Sequence, residues 1–324
     1  MIEDIFRGVV AAELTHPAHQ EFRIHALPPK RSARMEVLHE FDRQRHAATP
    51  LAPYAHSSPP ALLRGAGECA EWFVFAVDRA SCGDQELDDA WLTLAGEESG
   101  WNRVGTRIAL ANIRRGLRPP QSGHDNPHYF DDLAMVRAAA YAVAVADPEG
   151  AREIAAADAH VTHDLDGVWC ADSMVVLIQQ LRAGAAASQA VRAAADALPE
   201  GSWSRRLTES ALEIASSSRG SVELAHRLTS ELCDGIYSYP VAAPETLAVL
   251  LAQTVRATSA EELLLGTTAS GRNGTVLAAL AGVVATVRFG DAWIPRDISA
   301  DTVLDGIAIP RLAGVTAGDV LRRA

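Results

Sequence analysis

The stretch Leu133 to Ala146 constrains this chain most, because as a helix it is apolar around nearly its whole circumference. It reads Leu-Ala-Met-Val-Arg-Ala-Ala-Ala-Tyr-Ala-Val-Ala-Val-Ala. A helix without a polar face must be covered on several sides by other elements. The rest of the sequence supplies the cover. Asp147-Pro148-Glu149 joins an N-cap, a proline at the first helical position and an early acid, and it starts a helix towards His160. Gly167 to Leu181 is a further apolar helix that stops near Gly184. Helical spacing also marks Glu3–Leu14, Ala66–Val77, Glu86–Ala95, Val104–Leu117, Ser188–Ala197, Ser204–Ser216, Val222–Cys233, Pro244–Arg256, Ser259–Thr267 and Thr275–Arg288. Thr258 and Glu261 read as a capping box. No sustained period-two alternation is present, so the expected class is all-α. One helical domain over residues 1–324 is expected, broken by a loop-rich segment at about 16–60 that is dense in His, Pro and Arg.

Composition says how such helices have to pack. Hydrophobic residues make up 48% of the chain but aromatics only 6%, and alanine carries much of the apolar content. Small side chains bury little area each, so this core depends on close backbone approach. The formal net charge is −12 and Lys30 is the sole lysine. That balance argues against non-specific binding of nucleic acid or of an anionic membrane, both of which need a basic face. No run reaches the ~20 apolar residues of a membrane span. Cys69, Cys82, Cys170 and Cys233 show neither metal-knuckle nor redox spacing, and the N-terminus lacks a secretion signal. A cytoplasmic protein with reduced thiols is expected. His16 with His19, and His124 with His128, are each short of ligands for a metal site. Phosphate-loop, nucleophile-elbow and zinc-protease motifs are absent.

Several segments, in order, carry a family resemblance. They are Arg7-Gly8-Val9-Val10 through Gln20-Glu21-Phe22, Gly67-Glu68-Cys69-Ala70, and His128-Tyr129-Phe130-Asp131-Asp132-Leu133-Ala134-Met135. Thr162-His163 follows an alanine-rich helix, Ser270-Gly271-Arg272-Asn273-Gly274-Thr275 opens another, and Trp293-Ile294-Pro295 stands near the end. Together they resemble the ADP-ribosylglycohydrolase family. The resemblance implies a compact, multi-helix orthogonal bundle. It also implies an enzyme site in which two magnesium ions position a ribosyl substrate and activate water.

The aligned positions depart from that chemistry. Glu21 is kept, Glu68 stands for an aspartate and Thr275 is retained, but Cys69, Arg272 and Gly274 occupy places of further aspartates. Two carboxylates and a hydroxyl are too few for two hard cations. No metal ligand and no cofactor is therefore expected. Glu21 and Glu68, or the pair Asp131 and Asp132, are the candidate acid–base carboxylates, as in glycosidases that work without metal. Either member of the second pair could instead cap the helix beginning near Leu133. Cys69, Tyr129, His163, Arg272, Asn273 and Thr275 are the candidate ligand-binding residues. Arg272 either binds an anionic substrate group or pairs with Glu21 or Glu68 in the vacated metal position. Cys69 near a helix start could be a nucleophile, although no cysteine-hydrolase motif surrounds it. Tyr129 and Trp101 could stack on a planar ligand or simply anchor loops.

Three functions are open on these grounds. The first is an enzyme on this scaffold acting without magnesium on a small glycosidic, nucleoside-like or other anionic metabolite, such as one of specialised metabolism. The second is a catalytically inactive relative that binds ADP-ribose, a nucleotide or a partner protein. The third is an ordinary magnesium-dependent ADP-ribosyl hydrolase. The oligomeric state is not legible.

Overall fold

The computed structural model describes residues 1–15, 66–80, 84–97, 100–233, 241–270 and 274–324. Among them are fifteen α-helices and no strand, as the period reading expects. In chain order these are α1 (Ile2–Thr15), α2 (Glu68–Ala80), α3 (Asp84–Gly96), α4 (Val104–Arg114), α5 (Gln121–His124), α6 (Ala134–Ala144), α7 (Pro148–Thr162) and α8 (Asp166–Arg182). They continue with α9 (Ala187–Asp196), α10 (Trp203–Ser217), α11 (Ser221–Arg227), α12 (Ala243–Arg256), α13 (Ala260–Ala269), α14 (Gly274–Phe289) and α15 (Ala317–Leu321). The loop-rich segment at about 16–60, which includes Glu21, lies outside the described residues.

Local signals set most helix ends. Asp147 caps α7 by accepting the Gly150 N–H at 2.9 Å, with Pro148 behind it. Helix α4 stops at Arg114, short of the expected Leu117, and Gly116 at φ 93° carries the chain away in the left-handed region. The cap of α13 sits one residue later than the sequence suggested. Ser259 accepts from Glu262 N at 3.2 Å, and the Glu262 carboxylate takes the Thr258 N–H and hydroxyl, both at 2.8 Å. The expected helix Val222–Cys233 is α11 followed by a π-helical turn, Leu228–Leu232. The short α5 and α15, and a 3-10 turn at Pro310–Leu312, were too brief for periodicity to reveal.

Helix α6 is the centre of the packing. Every residue from Ala134 to Val143 is buried, and α2, α7, α8 and α14 pack around it. Helix α14 is buried from Thr275 to Thr286 and lies against α1. Glycine permits that approach. A β-carbon on Gly282 would sit 2.3 Å from the Gly8 carbonyl, and one on Gly8 would sit 2.3 Å from Thr286 Oγ1. Dispersion over such short backbone distances offsets the small area that each alanine buries.

Three charged side chains inside this core have partners of their own. Glu71 on α2 accepts the N–H groups of Ile307, Ala308 and Ile309 at 2.9–3.0 Å, and so fastens the C-terminal segment. Glu13 on α1 caps α2 from a distance, accepting Cys69 N at 2.9 Å and Ala70 N at 3.0 Å. Gly67 leaves room for it, since a β-carbon there would lie 2.5 Å from the Glu13 carboxylate. Arg137 in the middle of α6 is fully buried and ion-paired with Asp158 of α7 at 2.5 Å. Buried charges persist only with such partners.

Candidate functional site

The ends of several helices converge on Arg103, the residue just before α4. Its Nε donates to both oxygens of Glu68, at 3.1 and 2.9 Å. Nη1 donates to Asp132 Oδ1 at 2.7 Å and lies 4.0 Å from Asp131 Oδ1, while Nη2 donates to Thr275 Oγ1 at 2.8 Å. Glu68 opens α2, Asp131 and Asp132 immediately precede α6, and Thr275 sits in the first turn of α14. Carboxylates suit helix N-termini, whose free N–H groups carry partial positive charge. Asp131 Oδ1 accepts the Leu133 N–H at 2.8 Å, so the alternative of a helix-start hydrogen bond holds for this aspartate. Asp132 turns its second oxygen to the Thr246 hydroxyl of α12 at 2.7 Å. The backbone holds this join, with Ala243 N donating to Phe130 O at 2.8 Å and an isolated bridge between Asp131 and Ala242.

His163 closes the other side of Asp131. It caps the C-terminus of α7, is 1% exposed, and its Nε2 lies 3.9 Å from Asp131 Oδ1. The close approach of Gly167 leaves space for the ring, since a β-carbon there would meet His163 Cδ2 at 2.9 Å. The Arg103 side chain is 13% exposed, against 1% for Glu68, 5% for Asp131 and none for Asp132, so solvent reaches the group through the guanidinium.

The two aspartates are driven apart electrostatically. Burial, helped by the neighbouring Asp131, pushes Asp132 up to about 7 against the pull of Arg103. Burial also pushes Asp131 upward, but the facing His163 and Arg103 outweigh it and hold the carboxyl below its ordinary value. Burial raises Glu68 despite Arg103, raises Glu13 to about 7, and lowers His163 despite Asp131. Neighbouring carboxyls displaced in opposite directions provide one proton holder and one ionised base.

The sequence-predicted residues are gathered in part. Glu68, Asp131, Asp132, His163 and Thr275 come together, and Glu68 does pair with an arginine. That partner is Arg103. Glu21, Arg272 and Asn273 lie outside the described residues. Cys69, next to Glu68 in the first turn of α2, is wholly buried, and burial together with Glu13 and Glu68 pushes its thiol well above the ordinary value, away from thiolate chemistry. Tyr129 is half-buried with its ring edge-on to Phe130 at 5.5 Å, and its carbonyl accepts the Asp164 N–H at 3.3 Å. Trp101 donates its backbone N–H to Ile307 O at 2.6 Å. His124 pairs with Asp164 at 2.6 Å. Arg103 itself escaped notice, although a cation at a helix N-terminus opposes the helix dipole and so asks for acidic partners.

The family model for ADP-ribosylglycohydrolase matches residues 56–322. The chain belongs to the ADP-ribosylglycohydrolase family. The matched range contains every residue of the Arg103 group and leaves the Glu21 segment outside it. A solved structure described as an ADP-ribosylglycohydrolase-related protein complex superposes with a TM-score of 0.55, covering 99% of this chain and 98% of that one. Sequence identity is 16%, so this likeness supports the fold. No match was found among curated proteins. In this family member the oxygens of Glu68, Asp132 and Thr275 are turned onto a guanidinium. Among the described residues no three His, Cys, Asp or Glu side chains surround a point that a metal ion could take. Among the described residues, too, no helix is long and apolar enough to cross a membrane.

Proposed function

We propose that this family member acts without the two magnesium ions, with Arg103 supplying the fixed positive charge. The observation that carries this reading is the three-way bonding of Arg103 to Glu68, Asp132 and Thr275. A guanidinium does not give up its proton in a protein, and it would repel a divalent cation from the same oxygens. Its remaining N–H groups orient an oxygen of a small glycosidic, nucleoside-like or other anionic metabolite. Asp131 is the ionised base that activates water, and Asp132 or Glu68 holds the proton given to the leaving group. His163, Tyr129 and Thr275, with Arg272 and Asn273 from the preceding segment of sequence, are the ligand-binding residues of this reading. One observation favours an inactive ligand-binding relative instead: both Asp132 oxygens are already engaged, by Arg103 and Thr246.

Metal content and metal response test this reading together. The purified protein is expected to carry no stoichiometric magnesium and to unfold at the same temperature with magnesium or with chelator. Arg103→Ala, which exposes the carboxylates, is expected to gain stabilisation from magnesium. Two tightly bound magnesium ions in the native protein would overturn the proposal. A ligand that is consumed, in a screen of ADP-ribose, nucleotides and sugar phosphates, separates the enzyme from the binder.

A further inference from the structure

A second arginine reaches the site through a chain of buried hydrogen bonds. Arg137 Nη2 donates to Thr162 Oγ1 at 2.8 Å, and Thr162 Oγ1 lies 2.6 Å from His163 Nδ1. On its far side the guanidinium is held by Asp158 and by the faces of Trp72 and Trp91, 5.3 and 5.1 Å from the ring centroids. Asp158 is fixed in turn by the Trp91 indole N–H at 2.9 Å. Arg137, Asp158, Thr162 and His163 are all at most 1% exposed.

The direction of each bond follows from what the groups can do. Arginine only donates, so Thr162 Oγ1 accepts from Arg137. The threonine oxygen has a single hydrogen. If His163 Nδ1 carried a proton, Thr162 would accept twice and its own hydroxyl hydrogen would be left inside the core, where an unmet donor is costly. That arrangement would also aim the bare lone pair of Nε2 at the Asp131 carboxylate, 3.9 Å away. The opposite arrangement satisfies both Thr162 and Nδ1, because Thr162 donates to Nδ1. It also turns the Nε2 hydrogen towards the negative Asp131 carboxylate, an attractive contact although longer than a hydrogen bond.

We infer that Arg137 and Thr162 are positioning residues that lock His163 as the neutral Nε2–H tautomer, which makes His163 a fixed hydrogen-bond donor in the site. Nε2 has no hydrogen-bond partner among the described residues, so its N–H is available to a ligand oxygen. A hydroxyl group fits best, since it can accept from Nε2–H and donate to Asp131. His163 is thereby excluded as the general base, and that task falls to a carboxylate. This use of the N–H rests on the Arg103 cluster being the working site, whereas the tautomer does not.

Long-range proton–nitrogen NMR of the histidine rings tests the inference on the whole chain near neutral pH, with the His163 signals assigned by their loss in His163→Gln. The expected pattern is an unprotonated Nδ1 and a proton-bearing Nε2. Thr162→Val, which keeps the shape and removes the hydroxyl, is expected to shift the ring towards the Nδ1–H form, and Thr162→Ser to restore the native pattern. A native ring protonated on Nδ1, or on both nitrogens, would overturn the inference. So would a native pattern unchanged in Thr162→Val. The native spectrum decides even if that variant does not fold, and it does so whether or not the protein binds magnesium.

Discussion

Arg137 and Arg103 both meet buried acids, and they are matched differently. Arg137 meets one carboxylate, one hydroxyl and two indole faces, and is fully buried. Arg103 meets two carboxylates at hydrogen-bond distance, a third at 4.0 Å and a hydroxyl, and keeps a 13% exposed side chain. One-to-one charge matching in a closed aromatic box serves structure, because the pair is buried out of reach of any ligand. An excess of carboxylate at the edge of solvent leaves a site with unspent charge and protons that can move. The two are joined through Thr162, His163 and Asp131, so the buried arginine sets the orientation of a residue beside the exposed one.

The comparison can be broken by removing each cation in turn. Arg137→Leu is expected to cost about 3–5 kcal/mol, because Asp158 is left buried and uncompensated. Denaturant unfolding measures this, and a loss below that of the Arg103 variant would reverse the ranking. Arg103→Ala is expected to cost less, about 1–3 kcal/mol, since removing the partly exposed guanidinium opens the buried carboxylates to solvent, where they can be hydrated or take up protons. Loss of ligand binding that exceeds the loss of stability would mark Arg103 as functional. Equal losses would make it a second structural arginine.

A smaller effect concerns pH. Asp132 titrates at about 7 in the folded protein against 3.8 for the ordinary group, so the folded state binds this proton more tightly than the unfolded chain. Its contribution to stability is therefore fully present below the unfolded value and is lost as pH rises from about 4 to about 7. Asp131 works in the opposite sense. Its folded value is lowered, so its contribution is present above 3.8 and is lost as pH falls through the folded value. Asp132→Asn is expected to flatten the decline in stability over the upper window while leaving the acid limb in place. An unaltered profile between those limits would show that Asp132 is ionised throughout.

Much of the architecture could be read from one dimension. The α7 cap at Asp147 and Pro148 needs only neighbouring residues, and so does the burial of α6, which has no polar stripe to leave outside. The cap of α13 was misplaced by one residue because Thr258, Ser259, Glu261 and Glu262 offer two equivalent registers, and only geometry selects between them. The site was half legible. Glu68, Asp131, Asp132, His163 and Thr275 stand in segments whose order resembles the family, whereas Arg103 belongs to no motif. Arg137 carried a signal of its own, a charge within an apolar helix, which requires a buried partner.

By itself the sequence determined the helical class, the buried central helix and the family, because periodicity, capping and ordered motifs are local properties. Which cation stands among the carboxylates was decided only by tertiary structure. Arg103 lies 35 residues from Glu68, 29 from Asp132 and 172 from Thr275, distances over which spacing has no predictive force. Packing of α2, α6 and α14 brings those oxygens together, and once they are out of water they require a positive charge. The proton balance has the same origin. Asp131 and Asp132 are adjacent and chemically identical, and their opposite shifts come from burial and from the partners that folding places beside them.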